Sequence, residues 1–282
     1  MGCSEVKKEL KKYQIRPSKG LGQNFLIGKS TLKKILEAAN LQPGDKVLEI
    51  GPGLGVLTRE IAKRVKEVMA VEKDEKMCEI LKELLEGWNV RNVKVICGDI
   101  LKIDNLELSE NWKLKIGNYK IVANLPFYIT SPVIRKFLEL ENPPTEMVLM
   151  VQKEVAQRIC TRPPKMNLLA VSVQFYAKPE IISFVSKKFF WPQPKVDSAI
   201  IKITPYKSAK IRINPRLFFK IVKAGFSQPR KQLLNNLSKG LKLDKDIIKS
   251  WLLENNIQPD QRAETLNIED WVKLATGCGY NL

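Results

Sequence analysis

Histidine is absent from all 282 residues. That single absence removes histidine-based triads, histidine general bases and histidine metal ligands. Cysteine is sparse: Cys3, Cys78, Cys97, Cys160 and Cys278 are scattered, with no C-x-x-C pair among them. An odd, dispersed set reads as buried or inert thiols in a reducing compartment, not as a disulfide framework or a zinc site. Long apolar runs are also missing, which excludes a secretory signal or a membrane span. The opening Met1-Gly2-Cys3 hints at acylation, but Val6 stands where a myristoylation signal wants Ser or Thr. The expectation is a soluble, cytoplasmic protein that holds no metal and is a monomer.

Acidic residues are in deficit. Lys and Arg number 48 against 30 Asp and Glu, a formal charge of +18. A heavily charged thermophile-type surface would raise both signs together, so the imbalance favours a polyanionic partner, with nucleic acid first. Part of the excess is clustered near the N-terminus, in Lys7, Lys8, Lys11, Lys12, Arg16 and Lys19, and the stretch from Lys202 onward carries 15 Lys/Arg against 7 Asp/Glu. A hydrophobic fraction of 44% in a chain this long supports one large domain and a small one.

The pattern along the chain divides it that way. Residues 1–19 read as a loose basic arm with a helical portion, and Gly20 to Leu26 as a glycine-flanked turn. A helix follows from Ser30, with Leu32, Ile35, Leu36 and Ala39 on one face and Asn40 and Pro43-Gly44 at its end. Strand and helix signals then alternate as in a parallel α/β sheet. Strands are expected at 46–50, 68–72, 93–97, 119–123 and 147–151, with helices at 57–65, 76–85, 131–140 and 154–161. Residues 102–118 read as a polar, irregular connection. Leu168–Tyr176 and Val196–Ile203 alternate apolar with polar or small residues and read as two more strands. Phe189-Phe190-Trp191-Pro192-Gln193-Pro194-Lys195 between them reads as a stiff loop. Helices are expected at 217–224, 231–237, 246–254 and 268–276. A boundary near residue 206 separates an α/β domain (1–205) from a basic helical one (206–282).

Chemistry gathers at strand ends. Asn124-Leu125-Pro126-Phe127 follows the apolar run Ile121-Val122-Ala123. Pro126 has no N–H to give a sheet and holds Leu125 extended, so the strand breaks off with an amide, a carbonyl and a ring close together. Asn124 Oδ1 and the Leu125 carbonyl are two acceptors able to hold the hydrogens of an exocyclic amine, and Phe127 can stack on the ring bearing it. Taken alone, the tetrapeptide reads equally as a strand exit with proline as terminator and phenylalanine as core. Glu49-Ile50-Gly51-Pro52-Gly53-Leu54-Gly55 also follows a strand and opens a helix. Its pattern is G-x-G-x-G, with Val56 where a dinucleotide fingerprint needs its last glycine, so it fits a cofactor with no pyrophosphate, such as the aminoacyl part of S-adenosylmethionine. Glu72, ending the second strand, is placed to grip ribose hydroxyls. Asp99, just past the third, can accept from an adenine amino group.

These motifs occur in a series that resembles the ribosomal RNA adenine dimethyltransferases, in particular the bacterial small-subunit branch. The matching residues are Gly22 to Leu26, Glu49 to Gly55, Glu72, Gly98-Asp99, Asn124 to Phe127, Val151 to Ala156, Phe190 with Pro194 to Ser198, Phe226-Ser227-Gln228, Arg230-Lys231 and Arg262-Ala263-Glu264. The resemblance spans about residues 16 to 276. It implies a Rossmann-like class I methyltransferase fold with a mainly parallel seven-stranded sheet and a small C-terminal helical, RNA-binding domain. S-adenosyl-L-methionine is the implied cofactor. Asn24 and Leu26 would meet its methionine end, with Gln23, Glu49, Gly51 and Gly53 in the same pocket. Glu72 would hold its ribose, and Asp99 and the Ile100 backbone its adenine. Asn124 would bridge cofactor and target base, with Leu125, Pro126 and Phe127, while Phe190 stacks on the base's other face and Phe189 fills core. Lys11, Lys12, Arg16, Lys19, Arg230 and Lys231 would meet RNA phosphates. The implied reaction is N6,N6-dimethylation of two adjacent adenosines near the 3′ end of small-subunit ribosomal RNA, with a role in subunit biogenesis. Phe127 stands where the family most often has tyrosine, and Pro229 where arginine is usual. Three other readings compete: a large-subunit, macrolide-resistance type of methyltransferase, a DNA adenine methyltransferase, and a non-catalytic assembly or transcription factor on the same fold. The Gln152–Ala156 run and the Pro194–Ser198 loop favour the small-subunit type, and Asn-Leu-Pro-Phe departs from the Asp-Pro-Pro-Tyr commoner in DNA enzymes.

Overall fold

The computed structural model describes residues 2–18, 20–103, 119–206 and 213–277. Lys19 and most of the 102–118 connection therefore lie outside the described residues. The chain forms two compact units, residues 1–156 with 179–205, and residues 157–178 with 206–282. Residues 157–178, read with the first domain, group with the second unit.

Among the described residues the first unit has nine strands: β1 (Phe25–Leu26), β2 (Lys46–Ile50), β3 (Glu67–Glu72), β4 (Val93–Cys97), β5 (Lys120–Asn124), β6 (Glu146–Gln152), β7 (Ala177–Val185, whose first two residues belong to the second unit), β8 (Phe190–Trp191) and β9 (Ser198–Pro205). Seven of them form one sheet in the order β4-β3-β2-β5-β6-β9-β7. Strands β4, β3, β2, β5 and β6 are mutually parallel, and β9 runs antiparallel to β6. The central strands are apolar along their length, as strands covered on both faces must be: residues 47, 48, 50, 68–71, 121–123 and 147–151 are all buried. Each expected strand from 46 to 151 appears within a residue or so of its reading. The helix expected from Ser30 runs Lys29–Ala39 and ends at Asn40 in the left-handed region (φ 40°), a C-terminal stop that asparagine accepts better than most residues.

Four readings are corrected. Leu168–Tyr176 is not a strand: Leu168–Gln174 is a helix whose start is capped by Asn167, with its side chain accepting from Ala170 N–H at 3.0 Å. Its β-branched residues gave the alternation, but Ala170, Val171 and Phe175 bury into the core of the second unit with Phe218, Leu237 and Trp271, and that packing overrides intrinsic preference. The strand lies instead at Ala177–Val185, where Pro179 interrupts the apolar run; an edge strand tolerates a proline. The helical portion expected in the N-terminal arm is present, but it is packed and not loose. Cys3–Lys12 is a helix whose Val6 and Leu10 pack against Phe25, Leu54 and Met77. The cysteines are not all free: Cys78 and Cys97 form a disulfide, with Cα atoms 5.9 Å apart, that ties helix Glu75–Gly87 to the end of β4. Parallel pairing sets Glu72 beside Cys97, and the helix entered after β3 brings Cys78 back over that edge. The aromatic-proline segment also departs from a plain loop, since Phe190 and Trp191 pair with Leu26 and Phe25.

In the second unit, helix Leu168–Gln174 is joined by helices Pro215–Gly225, Leu233–Leu241, Lys245–Glu254 and Ile268–Thr276. Arg230 and Lys231 are exposed between the first two.

Candidate active site

The order of the sheet reverses between β2 and β5, because the chain lays β3 and β4 on one side of β2 and then returns to place β5 on the other. Such a reversal opens a crevice at the C-terminal ends of the strands, and the cavity of the first unit lies there. It is lined by the turn after β2, the ends of β3 and β5, residues 98–100, the turn 21–26 and Phe190. Every cofactor-pocket and catalytic residue expected from the sequence lines it: Gln23, Asn24, Leu26, Glu49, Gly51, Gly53, Glu72, Asp99, Ile100, Asn124, Leu125, Pro126, Phe127 and Phe190.

The backbone of the glycine turn explains the glycines. Gly51 and Gly53 have φ of 69° and 55°, in the left-handed region that side chains disfavour. A Cβ on Gly53 would also stand 3.2 Å from the Phe25 ring, and one on Gly51 3.3 Å from Pro126 Cδ. The turn thus brings backbone, not side chains, to the cavity.

Three carboxylates face this space under different conditions. Glu72 is 8% exposed and accepts backbone N–H bonds from Gly53 (3.1 Å), Lys73 (2.8 Å) and Asp74 (3.0 Å). Burial holds its carboxyl above the ordinary range, and the three N–H groups pull it partly back. Glu49 is 1% exposed and its Oε2 has no hydrogen-bond partner among the described residues. Burial pushes its carboxyl up to about 8, opposed by the Thr58 hydroxyl and helped by the charge of Glu72. Asp99 behaves oppositely. Burial raises it, but the Leu101 N–H on Oδ1 (3.0 Å) and the Lys73 ammonium on Oδ2 (3.0 Å) outweigh that and leave it below the usual range.

The strand tip at Asn124 is held from two sides. Leu125 N–H donates to the Met150 carbonyl (3.2 Å), and Asn124 Nδ2 donates to the Asn24 carbonyl (3.2 Å). The turn carrying Asn24 is braced in its own right, by Asn24 Nδ2 on the Gly22 carbonyl (3.0 Å) and by Gln23, whose amide accepts from Ser18 N–H (2.8 Å) and donates to Asp74 Oδ2 (2.9 Å). The Gln23 side chain therefore acts as a brace for the turn. Phe127, half-buried, begins a 3-10 turn, Phe127–Ile129, that runs into helix Thr130–Leu138.

The two neighbouring aromatic residues exchange their expected burial. Phe190 is 3% exposed and packs in the core with Leu26 and Ile35, while Phe189 is only half-buried. Phe190 reaches the cavity as part of its wall. Sequence reasoning missed Leu21, Gly22, Lys73 and Tyr128 in the lining. The adjacency of Lys73 to Glu72 was a signal for it, whereas the approach of Tyr128 to Gly22 spans too many residues to read. Of the expected RNA contacts, Lys11, Lys12 and Arg16 are exposed, and the Lys12 ammonium also meets Glu83 (3.1 Å) and Tyr13 (2.8 Å).

The cavity fits S-adenosylmethionine. Glu72 and Asp99 offer carboxylates to hydroxyl and amino donors, the glycine turn leaves room for close approach, and Glu49 adds a buried carboxyl whose Oε2 has no partner among the described residues.

Comparison with known proteins agrees with this geometry. A family described as ribosomal RNA adenine dimethylase matches residues 15–276. A ribosomal RNA small subunit methyltransferase A of Dehalococcoides mccartyi is 46% identical over 273 residues, covering 96% of this chain and 91% of that protein. Among solved structures, a dimethyladenosine transferase from Plasmodium falciparum superposes with a TM-score of 0.74 at 27% identity, over 89% of this chain and 95% of that one. The 23S rRNA methyltransferase ErmE gives a TM-score of 0.71 at 25% identity, over 91% and 100%. With the glycine turn, the three strand-end acids and the Asn-Leu-Pro-Phe tip lining one cavity, and with a family match over nearly its whole length, the chain belongs to the ribosomal RNA adenine dimethylases.

Proposed function

We propose that this protein transfers methyl groups from S-adenosylmethionine to the N6 amines of two adjacent adenosines near the 3′ end of small-subunit ribosomal RNA, and thereby takes part in small-subunit biogenesis in the cytoplasm. The observation that carries the reading is the held amide of Asn124. Its Nδ2 is committed to the Asn24 carbonyl, so its Oδ1 is the atom left to accept, next to the Leu125 carbonyl and the Phe127 ring.

When bound, S-adenosylmethionine supplies a strongly electrophilic methyl group. Glu72 would hold its ribose hydroxyls, Asp99 with the Ile100 backbone its adenine, and Asn24, Leu26 and Gly51 its methionine end. The adenine N6 is a weak nucleophile, because its lone pair is delocalised into the ring. Asn124 Oδ1 and the Leu125 carbonyl accept its two hydrogens, draw the nitrogen toward tetrahedral geometry and free the lone pair. The same two oxygens stabilise the positive charge that develops on nitrogen, the inverse of an oxyanion hole. Alignment carries the step. Once the methylated, positively charged amine gives up a proton to water, one N–H remains, so one acceptor serves the second transfer.

The target base must leave its stack at a cost of a few kcal/mol. Stacking on Phe127 returns roughly 1–3 kcal/mol, with Phe190 as the wall behind. The helical second unit, with Arg230 and Lys231 exposed, would hold phosphates, and recognition would follow particle shape more than linear sequence. The same fold in ErmE makes large-subunit RNA the rival substrate. The 46% identity to a small-subunit enzyme favours small-subunit RNA.

The test is to incubate the protein with labelled S-adenosylmethionine and either unmethylated small-subunit particles or large-subunit RNA. Label in N6,N6-dimethyladenosine of the small-subunit RNA is expected. Label confined to the large-subunit RNA would support the resistance type, and binding without label an assembly factor.

A further inference from the structure

Strand β7 is the outermost of the seven, and its two faces differ. Val185 belongs to the core beside Ile35 and Ala39 of helix Lys29–Ala39, and Ser183, of the same parity, accepts from Lys34 Nζ at 3.1 Å. Ile182 and Phe184 alternate to the opposite face and stand 44% and 53% exposed. Two bare, large apolar side chains in file on an edge strand invite wrong pairing, and chains seldom keep them without a use.

Lysines frame this pair. Lys153 Nζ lies 5.2 Å over the Phe184 ring. The N–H of Lys153 donates to the Asp197 carbonyl at 3.0 Å, which brings the exposed Val196 and Lys195 alongside. Lys187 Nζ reaches the Lys195 carbonyl at 3.4 Å. Two acids lie near this cluster: Asp197, engaged through Oδ1 by the Lys187 N–H at 3.0 Å, and Glu180, of the same parity in β7 as Ile182 and Phe184. A flat ring, two aliphatic side chains and the Lys153 ammonium thus share one surface, with Lys187 and the exposed Lys195 beside it. Lys153 directly follows Gln152, the last residue of β6, and β6 pairs with β5 at Asn124. The surface therefore lies at the same C-terminal edge of the sheet as the cavity.

We propose that this surface is a second RNA contact, on which an unpaired base near the methylated adenosines stacks against Phe184 while Lys153, Lys187 and Lys195 meet its flanking phosphates. The proposal rests on the ribosomal RNA reading of the active site. Charge decides the occupant: a protein edge or a second copy of this chain, itself at +18, gains nothing from lysines beside one ring. A nucleic acid uses both the ring and the charges. The ammonium already drawn to the ring is the one placed to meet the backbone of a base stacked there.

The test measures binding of unmethylated small-subunit particles across a salt series, with cofactor affinity and methyl transfer measured in parallel. Phe184→Ala and Phe184→Leu are expected to weaken particle binding about five- to hundredfold, as loss of one base–aromatic stack does, and Phe184→Trp to keep it, with cofactor affinity as in the wild type. Lys153→Gln is expected to lower the log–log salt slope by about one. Unchanged particle binding by Phe184→Ala and Phe184→Leu, in a wild type that methylates particles, would overturn the proposal. So would concentration-dependent dimerisation of the wild type that Phe184→Ala abolishes, since the surface would then belong to a second copy. A wild type that neither binds nor methylates particles would sink the ribosomal RNA reading itself, and this surface with it.

Discussion

Asn124 and Asn24, a hundred residues apart, meet through one hydrogen bond: the amide NH2 of Asn124 donates to the Asn24 backbone carbonyl at 3.2 Å. The bond decides which end of the Asn124 amide is left for a ligand. Under the role proposed for Asn124, the placement of the 20–26 turn becomes a condition for methyl transfer, although most of that turn touches no reacting atom.

Asn24→Ala removes the brace to the Gly22 carbonyl but not the carbonyl that Asn124 uses. Methyl transfer should fall about ten- to hundredfold, as a small misplacement of a positioning group does, while thermal stability shifts little. Single-turnover transfer beside a melting curve checks this.

Glu72 accepts three backbone N–H bonds in the free protein, so it is already placed where hydroxyl donors arrive. Glu72→Gln keeps the shape, loses the charge and turns one acceptor into a donor. Cofactor affinity should drop at least about tenfold, in line with charge-assisted bonds of about 1.5–3 kcal/mol, with particle binding unchanged. Calorimetric titration with S-adenosylmethionine reads it.

Glu49 gives a pH signature. Burial raises its carboxyl from the ordinary 4.5 to about 8, so between those values the folded state holds a proton that the unfolded chain has released. Its contribution to stability is fully present below pH 4.5 and is lost as pH rises toward 8. Glu49→Gln should flatten the fall in stability between those values and raise stability at the upper end by a few kcal/mol, read from denaturant midpoints at several pH values. A fall that is unchanged in the variant would contradict the assignment.

Arg230 and Lys231 are exposed in the second unit. Changing both to glutamine should reduce the slope of log affinity against log salt by about 1.4–1.8, and leave cofactor affinity alone. Filter binding of small-subunit particles across a salt series measures it.

Much of this site was legible in the sequence because a parallel sheet writes itself plainly. Lys46–Ile50, Glu67–Glu72 and Glu146–Gln152 are near-continuous apolar runs, and each stops at a residue that cannot continue it. Glu72 and Asn124 stand out because they are polar where a strand ends, Asp99 because it follows such an end, and Glu49 because it is a carboxylate within an apolar run. The features that were missed depend on distant pairing. Leu168–Gln174 has the composition of a strand and becomes a helix because Asn167 caps it and the second unit buries it. Ala177–Val185 was hidden by Pro179, which matters less on an edge. The approach of Phe25 to Trp191, of Lys73 to Asp99 and of Cys78 to Cys97 follows from the finished topology, and no local pattern announces it.

The most direct measurement is the rate of methyl transfer by Asn124→Ala in a single turnover, with particle and cofactor affinities determined on the same preparation. Loss of the acceptor should slow transfer at least about 10²–10³-fold, the range for removing one preorganised electrostatic group, with particle affinity nearly intact. Transfer at the wild-type rate, or a matching collapse of transfer, binding and stability together, would contradict the assignment of Asn124 Oδ1 as the oxygen that holds the amine.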